Sequence, residues 1–332
     1  MEIYRCLADS PSSPRGCVVT VGNFDGVHLG HQAIIRHARR LAQTEQLPLV
    51  GVTFEPAPVR VLRPDQAPRL LTPLDIKIRL LEQQDLHRLL ILESAGALLS
   101  LAPEEFVRQV LVDRLRARHV VEGQTFGFGR GREGTVVSLE ALGRELGFQT
   151  HMVPAQTIVL DEAGPVAISS TLVRRHIMIG RFDLAARCLT RPYLLGGTVV
   201  RGRGTGAALG FPTANLQLYH PGQLTGEDGV LAAWARLGAD LDQAWAGAAR
   251  YRAAVSIGRG KTFPDGRWQI EAHLLDYPKD APDLQGQHLL LSIVARVRPQ
   301  QRFAGSAELA EAIRRDCQTI DRILRQQGAP PL

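Results

Sequence analysis

The chain is short of lysine and asparagine. Lysine stands only at positions 77, 261 and 279 and asparagine only at 23 and 215, although Lys and Arg together number 39. Arginine therefore carries nearly all the positive charge, the bias that a GC-rich coding sequence produces, and a Lys or Asn that survives in it stands out as a candidate functional residue. Cysteine is sparse as well: Cys6, Cys17, Cys188 and Cys317 form no CxxC pair, so neither a zinc site nor a disulfide framework is indicated. No apolar run is long enough to span a bilayer. The opening "MEIYRCLADSPSSPRG" lacks both a basic segment followed by an apolar stretch and a small-residue cleavage site, so a cytoplasmic location without a membrane partner is expected. The net charge of +6 is dispersed among acidic residues rather than massed, and dispersed charge neutralises few adjacent phosphates. No nucleic-acid partner is expected.

What is present is a globular composition, 45% hydrophobic and 22% charged, in 332 residues, a length that favours two domains. The first half alternates strand-like and helix-like segments. "CVVTVG" reads as a buried strand, "HQAIIRHARRLAQTEQ" as an amphipathic helix with Ile34, Ile35, Ala38 and Leu41 inward, and "LPLVGVTF" as the next strand. The helix "LDIKIRLLEQQ" with strand "RLLIL", the helix "PEEFVRQVLVDRLRAR" with strand "HVVEG", and the helix "SLEALGRELG" with strand "QTHMVP" follow, with Pro103 fitting a first turn. That is an α/β fold, a doubly wound parallel sheet. From about Tyr193 short strands take over: "YLLGGTVVRG", "GVLAAWARL", "YRAAVSIG", "RWQIEAHLLDY" and "HLLLSIVARVRP". The last segment, "SAELAEAIRRDCQTIDRILRQQ", has helical spacing with Ser306 as its start cap, so an antiparallel β-barrel with a C-terminal helix is expected. The boundary is expected between Leu184 and Pro192, giving domains 1–186 and 187–332.

Two constellations carry chemistry. In an open parallel sheet the loop after the first strand feeds a helix N-terminus, where free amides and the helix dipole attract phosphate. "GNFDGVHLGH" occupies that loop. Gly22 and Gly26 permit close backbone approach, and His28 and His31, three apart on one side of the helix start, can donate hydrogen bonds to a phosphate whose charge grows in a transition state. A Gly-rich strand-to-helix turn with an incidental histidine pair is the other reading of those residues. "ISSTLVRRHIMIGRF" sets hydroxyls before a helix with an Arg one turn later, either a cap or an anion clamp. In the second half, "GTVVRGRGTGAALGFPTANL" is either a phosphate-wrapping loop or a Gly-rich hairpin. Within it Thr213 and Asn215 offer hard oxygens suited to Mg²⁺. Asn23 and Asn215, one in each constellation, are the chain's two asparagines.

"GNFDGVHLGHQAII", "VTFEPAP", "RLLTPLDIK", "FGFGRGREG" and "ISSTLVRR", in that order, resemble the HxGH nucleotidyltransferase half of the bacterial bifunctional riboflavin kinase/FAD synthetase family, and "GFPTAN" resembles its flavokinase signature. The resemblance implies an enzyme that phosphorylates riboflavin to FMN with ATP and adenylylates FMN to FAD with release of pyrophosphate, each with Mg²⁺. It implies that His28 and His31 stabilise the α-phosphate of ATP and that Glu271 is the base for the riboflavin 5′-hydroxyl. Gly22, Asn23, Phe24, Asp25, Gly26, Ser169, Ser170, Thr171 and Arg174 are expected around one nucleotide, and Gly202, Gly210, Phe211 and Pro212 around the other. Thr213 and Asn215 are the expected metal ligands, and Thr125, Phe126, Phe128 and Arg298 the expected flavin contacts.

The chain departs from the family pattern at Ala57, Thr125, Gly127, Ser256, Lys261, Gln285 and Gln300. These changes keep two rivals in view: a paralogue with one active half or a modified acceptor, and a non-catalytic flavin- or nucleotide-binding regulator. Oligomeric state is open.

Overall fold

Strands of a parallel sheet are buried on both faces and read as unbroken apolar runs, and the computed structural model builds its first sheet from such runs. It describes residues 1–9, 13–94, 96–160, 164–202, 204–259, 268–278 and 281–329. Lys261, one of the departures, lies outside them. The strands are β1 (Glu2–Tyr4), β2 (Cys17–Val21), β3 (Leu49–Glu55), β4 (Arg88–Glu93) and β5 (Ala117–Gly123). After a ribbon of β6 (Gly127–Phe128) and β7 (Gly134–Thr135) comes β8 (Gln149–Val153). The sheet order is β1-β4-β3-β2-β5-β8, with every neighbouring pair parallel. The chain leaves β2 toward β3 and β4 and then returns to the other side at β5. The crevice at the carboxyl end of β2 is thus the topological switch point, where open α/β sheets bind ligands. A short hairpin of β9 (Thr157–Val159) and β10 (Pro165–Ala167) follows.

Helix Leu29–Glu45 buries Gln32, Ile35, Ala38 and Ala42. Of the four residues expected inward, Ile35 and Ala38 are at the centre of the stripe and Ile34 and Leu41 are half-buried at its flanks. The single helix expected over "PEEFVRQVLVDRLRAR" is corrected: an α-turn, Pro103–Phe106, passes into a π-helix, Val107–Arg114. Leu115 N–H accordingly bonds the Val110 carbonyl five residues back at 3.1 Å. Val107, Val110, Leu111 and Leu115 from this stretch are all buried in the sheet core. Pro103 opens the first turn as expected.

The second half closes into a barrel from β11 (Tyr193–Val200), β12 (Ala214–Leu218), β13 (Gly229–Gly238), β14 (Tyr251–Arg259), β15 (Trp268–Leu274) and β16 (His288–Pro299). Their order is β11-β12-β15-β14-β13-β16. Helix Ser306–Gln327 packs Ile320 and Leu324 against Val230, Ala232 and Ala254 on the outside of the barrel. Ser306 is not its cap: Gly305 holds the cap position with no side-chain bond, and Glu308 reaches back to accept from Ala304 N–H at 2.8 Å.

By compactness, Met1–Pro68 with Leu74–Ser169 form one unit and Arg69–Pro73 with Ser170–Leu332 another. This division falls earlier than the boundary expected between 184 and 192. Helices Ser170–Met178 and Phe182–Leu189 pack with the barrel, as where Phe182 lies 6.4 Å from the Tyr193 ring.

Candidate functional site

Where β2 and β5 diverge at the switch point, the last amide of β2 loses its ladder partner. Glu122 of β5 supplies one: its carboxyl accepts from Val21 N–H at 2.5 Å. The group is 2% exposed, and burial raises its pKa well above the carboxylate range. The loop that follows is strained. Phe24 and Val27 have φ of 46° and 41°, beside Gly26 at 89°, and positive φ is costly for a β-branched residue. Both side chains are 1% exposed, and Gln32 Nε2 donates to the Val27 carbonyl at 2.9 Å, so packing and a buried hydrogen bond fix the conformation. Phe24 therefore lies beneath the loop, its ring edge-on to His31 at 5.5 Å, while Asn23 is exposed.

His28 caps the helix it precedes, its Nδ1 accepting from His31 N–H at 3.4 Å. An accepting Nδ1 carries no proton, so a neutral His28 holds its proton on Nε2 as a donor. The two rings stack 3.7 Å apart at 20°. Gly30, the glycine of the HxGH pattern, makes the stack fit: a Cβ there would lie 3.1 Å from the His28 ring and 3.7 Å from the Ile168 carbonyl. His31 Nδ1 is buried without a hydrogen-bond partner. Burial, then His28, then Lys77 push its pKa well below the usual histidine value.

Lys77, also absent from the expected site, is 2% exposed beneath this pair, with its Nζ 3.8 Å from the Glu55 carboxylate. Asp25 is a second nearby anion, and burial, the larger influence, lowers the lysine pKa. The sequence signals for Lys77 are its rarity and its place at the end of "RLLTPLDIK".

A cavity of 550 Å³ opens beside the loop, lined by Gly22, Asn23, Phe54, Phe126 and Phe128 with Arg63 and Arg132 as its cations. The Phe126 and Phe128 rings stack at 5.5 Å. Thr125 does not line the cavity; its carbonyl accepts from Arg132 at 3.4 Å. The missing side chain of Gly127 leaves room for Arg132, whose guanidinium stands 3.0 Å from where a Cβ would be. Ser169 belongs to the same unit, whereas Ser170, Thr171 and Arg174 open the first helix of the second. There Arg174 Nε donates to the Arg69 carbonyl at 2.7 Å.

In the barrel, Glu271 of β15 pairs with Asn215 of β12 on one side and Ser256 of β14 on the other. β12 is hidden in the sequence because Pro212 and the glycines before it read as turn. Gly202 packs directly against the Asn215 amide, and a Cβ on Gly206 would lie 3.0 Å from Thr213 Oγ1, so the Gly-rich segment folds closely over both expected metal ligands. His273 Nδ1 donates to the Pro212 carbonyl at 2.8 Å and its ring meets Phe211 edge-on at 5.5 Å, tethering the turn. Gly210 has φ of 83° at the start of that turn. A 160 Å³ cavity is lined by Phe211, Thr213, Ser256, Glu271, His273, Arg298 and Gln300, among others. Two departures from the family pattern meet here, Gln300 Nε2 donating to Ser256 Oγ at 2.8 Å. Arg298 forks onto Asp316 at 2.7 to 3.1 Å and lies 5.5 Å over the Phe303 ring. Among the described residues no group of three His, Cys, Asp or Glu is placed to hold a metal ion.

Residues 10–171 match the FAD synthetase family and residues 189–324 the riboflavin kinase family. The bifunctional riboflavin kinase/FMN adenylyltransferase of Escherichia coli (strain K12) is 34% identical over 317 residues, 95% of this chain and 96% of its own. That of Pseudomonas fluorescens is 37% identical over 319 residues, again 95% and 96%. A crystal structure described as a macrolide-efflux protein from Streptococcus pneumoniae superposes with a TM-score of 0.80 at 27% identity, over 96% of this chain and 98% of that one. No helix among the described residues is long and apolar enough to cross a membrane. With both family matches in chain order and relatives similar along almost the whole length, this chain belongs to the bifunctional riboflavin kinase/FMN adenylyltransferase family.

Proposed function

We propose that the chain phosphorylates riboflavin to FMN in its barrel half, 187–332, and adenylylates FMN to FAD in its α/β half, 1–186, releasing pyrophosphate. The observation that carries this is the full-length similarity to bifunctional relatives, and the stacked histidine pair at the switch point supports it. ATP is the second substrate of both reactions, and the cytoplasm is where such a protein would work.

For adenylyl transfer, the FMN phosphate attacks the α-phosphate of ATP directly, and catalysis is positioning plus stabilisation of growing charge. The Nε2 donor of a neutral His28 and the ring of His31 lie where a helix N-terminus already favours an anion. Gly22 and Asn23 bring backbone to the nucleotide. Ser169, in the same unit as the histidine pair, supplies a hydroxyl for the triphosphate. The aromatic cavity of Phe126 and Phe128 takes the flavin ring, with Arg63 and Arg132 as the cations available to its phosphate.

For phosphoryl transfer, Glu271 takes the proton of the riboflavin 5′-hydroxyl, as a general base within hydrogen-bond reach of that hydroxyl does. The Thr213 hydroxyl and the Asn215 amide oxygen are hard donors that fit Mg²⁺. When bound, the ion neutralises charge on the transferring phosphate. The Gly-rich segment with Gly202 wraps the nucleotide, while Gly210, Phe211 and Pro212 set the turn. Incubation with riboflavin, Mg²⁺ and ATP should yield FMN, then FAD and pyrophosphate. Absence of product from both riboflavin and FMN would favour the inactive-paralogue reading instead.

A further inference from the structure

We infer that Lys77 is a positioning residue for adenylyl transfer, its buried ammonium tying Glu55 at the end of β3 to the surroundings of the strained loop and of the stacked His28–His31 pair; this rests on the adenylyltransferase reading of that site. In a chain that otherwise builds its positive charge from arginine, Lys77 is a lysine held at 2% exposure. An ammonium is a compact point charge on a flexible stem that can lose its proton when buried, whereas a guanidinium stays charged. The groups facing it come from three separate segments: Glu55 at the end of β3, Asp25 in the loop after β2, and His31, with His28 stacked on it, at the start of helix Leu29–Glu45. One cation thus links the strand end, the loop and the helix start that border the switch point.

Removal of that cation shows what it does. Glu55 would then lose its buried counter-ion, and one of the influences that hold His31 neutral would be gone. With the ammonium present, burial, His28 and Lys77 all act to keep His31 neutral. Asp25 sits between Phe24 and Gly26, in a loop whose positive-φ residues persist only while their surroundings over-determine them. Phe24 and Val27 are fixed by packing, and Asp25 between them is buried as one of the anions near the ammonium.

The test uses the full-length protein, with FAD formation from FMN and Mg-ATP followed from about pH 5.5 to about pH 10. Riboflavin phosphorylation in the same preparation reports that the chain has folded. In K77M, kcat for FAD formation should fall roughly tenfold or more, and its acid limb should move up toward the ordinary histidine range while FMN formation persists. K77R should keep the acid limb and lose the alkaline one, because a guanidinium does not deprotonate. E55Q, which removes an anion supporting the ammonium, should move the alkaline limb down, and it carries the test if K77M does not fold. A wild-type pH profile in K77M, or an unchanged alkaline limb in K77R or E55Q, overturns the inference while leaving the reaction assignment standing. No FAD from the wild type overturns both.

Discussion

At the residue scale, Gly30 separates stability from activity. It is the second residue of helix Leu29–Glu45, and the preference for Ala over Gly, roughly 0.5–1 kcal/mol in a helix interior, applies there only in part. Its want of a side chain gives the His28 ring its place, since a Cβ would stand 3.1 Å away. G30A should therefore keep or raise the melting temperature while FAD formation falls roughly tenfold or more; thermal unfolding and a rate assay on the same sample check this. Much of this site is legible in the sequence: the spacing of His28 and His31 and their position after the first long strand point to one face of a helix start. Lys77 is marked by its rarity and its place in "RLLTPLDIK", but not by its surroundings, because Asp25 and Glu55 come from other segments and only the fold brings them near it. Gly30 is marked as the glycine of the HxGH pattern, but the reason a glycine stands there shows only in the packing of the two rings.

At the scale of elements, the divergence of β2 from β5 creates the site and also leaves Val21 N–H to be satisfied by Glu122. Because burial raises the Glu122 pKa well above 4.5, the folded state keeps a proton that the unfolded state gives up. Stability is then lost as pH rises from the ordinary carboxylate value through the raised one. E122Q keeps an oxygen for Val21 without that dependence, so it should stabilise the first unit by about 1 kcal/mol or more at neutral pH. Melting curves across the acidic-to-neutral range would check this, the variant and the wild type converging toward low pH. The long, strongly periodic elements are readable, helix Ser306–Gln327 over its full extent. The elements that escape detection lack such a signal: β1 is three residues long, β12 follows a proline turn, and the π-helix keeps an apolar spacing that an α-helix also displays.

At the scale of the whole molecule, each proposed catalytic group belongs to its own compact unit, His28 and His31 to one and Glu271 to the other. E271Q should therefore lower FMN formation from riboflavin roughly a hundredfold or more and leave FAD formation from supplied FMN intact. A loss of both activities would argue against independent sites. Order along the chain makes the function readable, since no single motif excludes a turn or a hairpin but the succession from "GNFDGVHLGH" to "GFPTAN" does. The pairing of Ser256 with Gln300 is not readable, because each departs from the family pattern and only their 2.8 Å contact links them. The most direct test of the account is the product distribution of H28A incubated with riboflavin, Mg²⁺ and ATP. FMN should accumulate at the wild-type rate while FAD formation falls roughly a hundredfold or more. FAD accumulating as in the wild type would contradict the assignment of the histidine pair to adenylyl transfer.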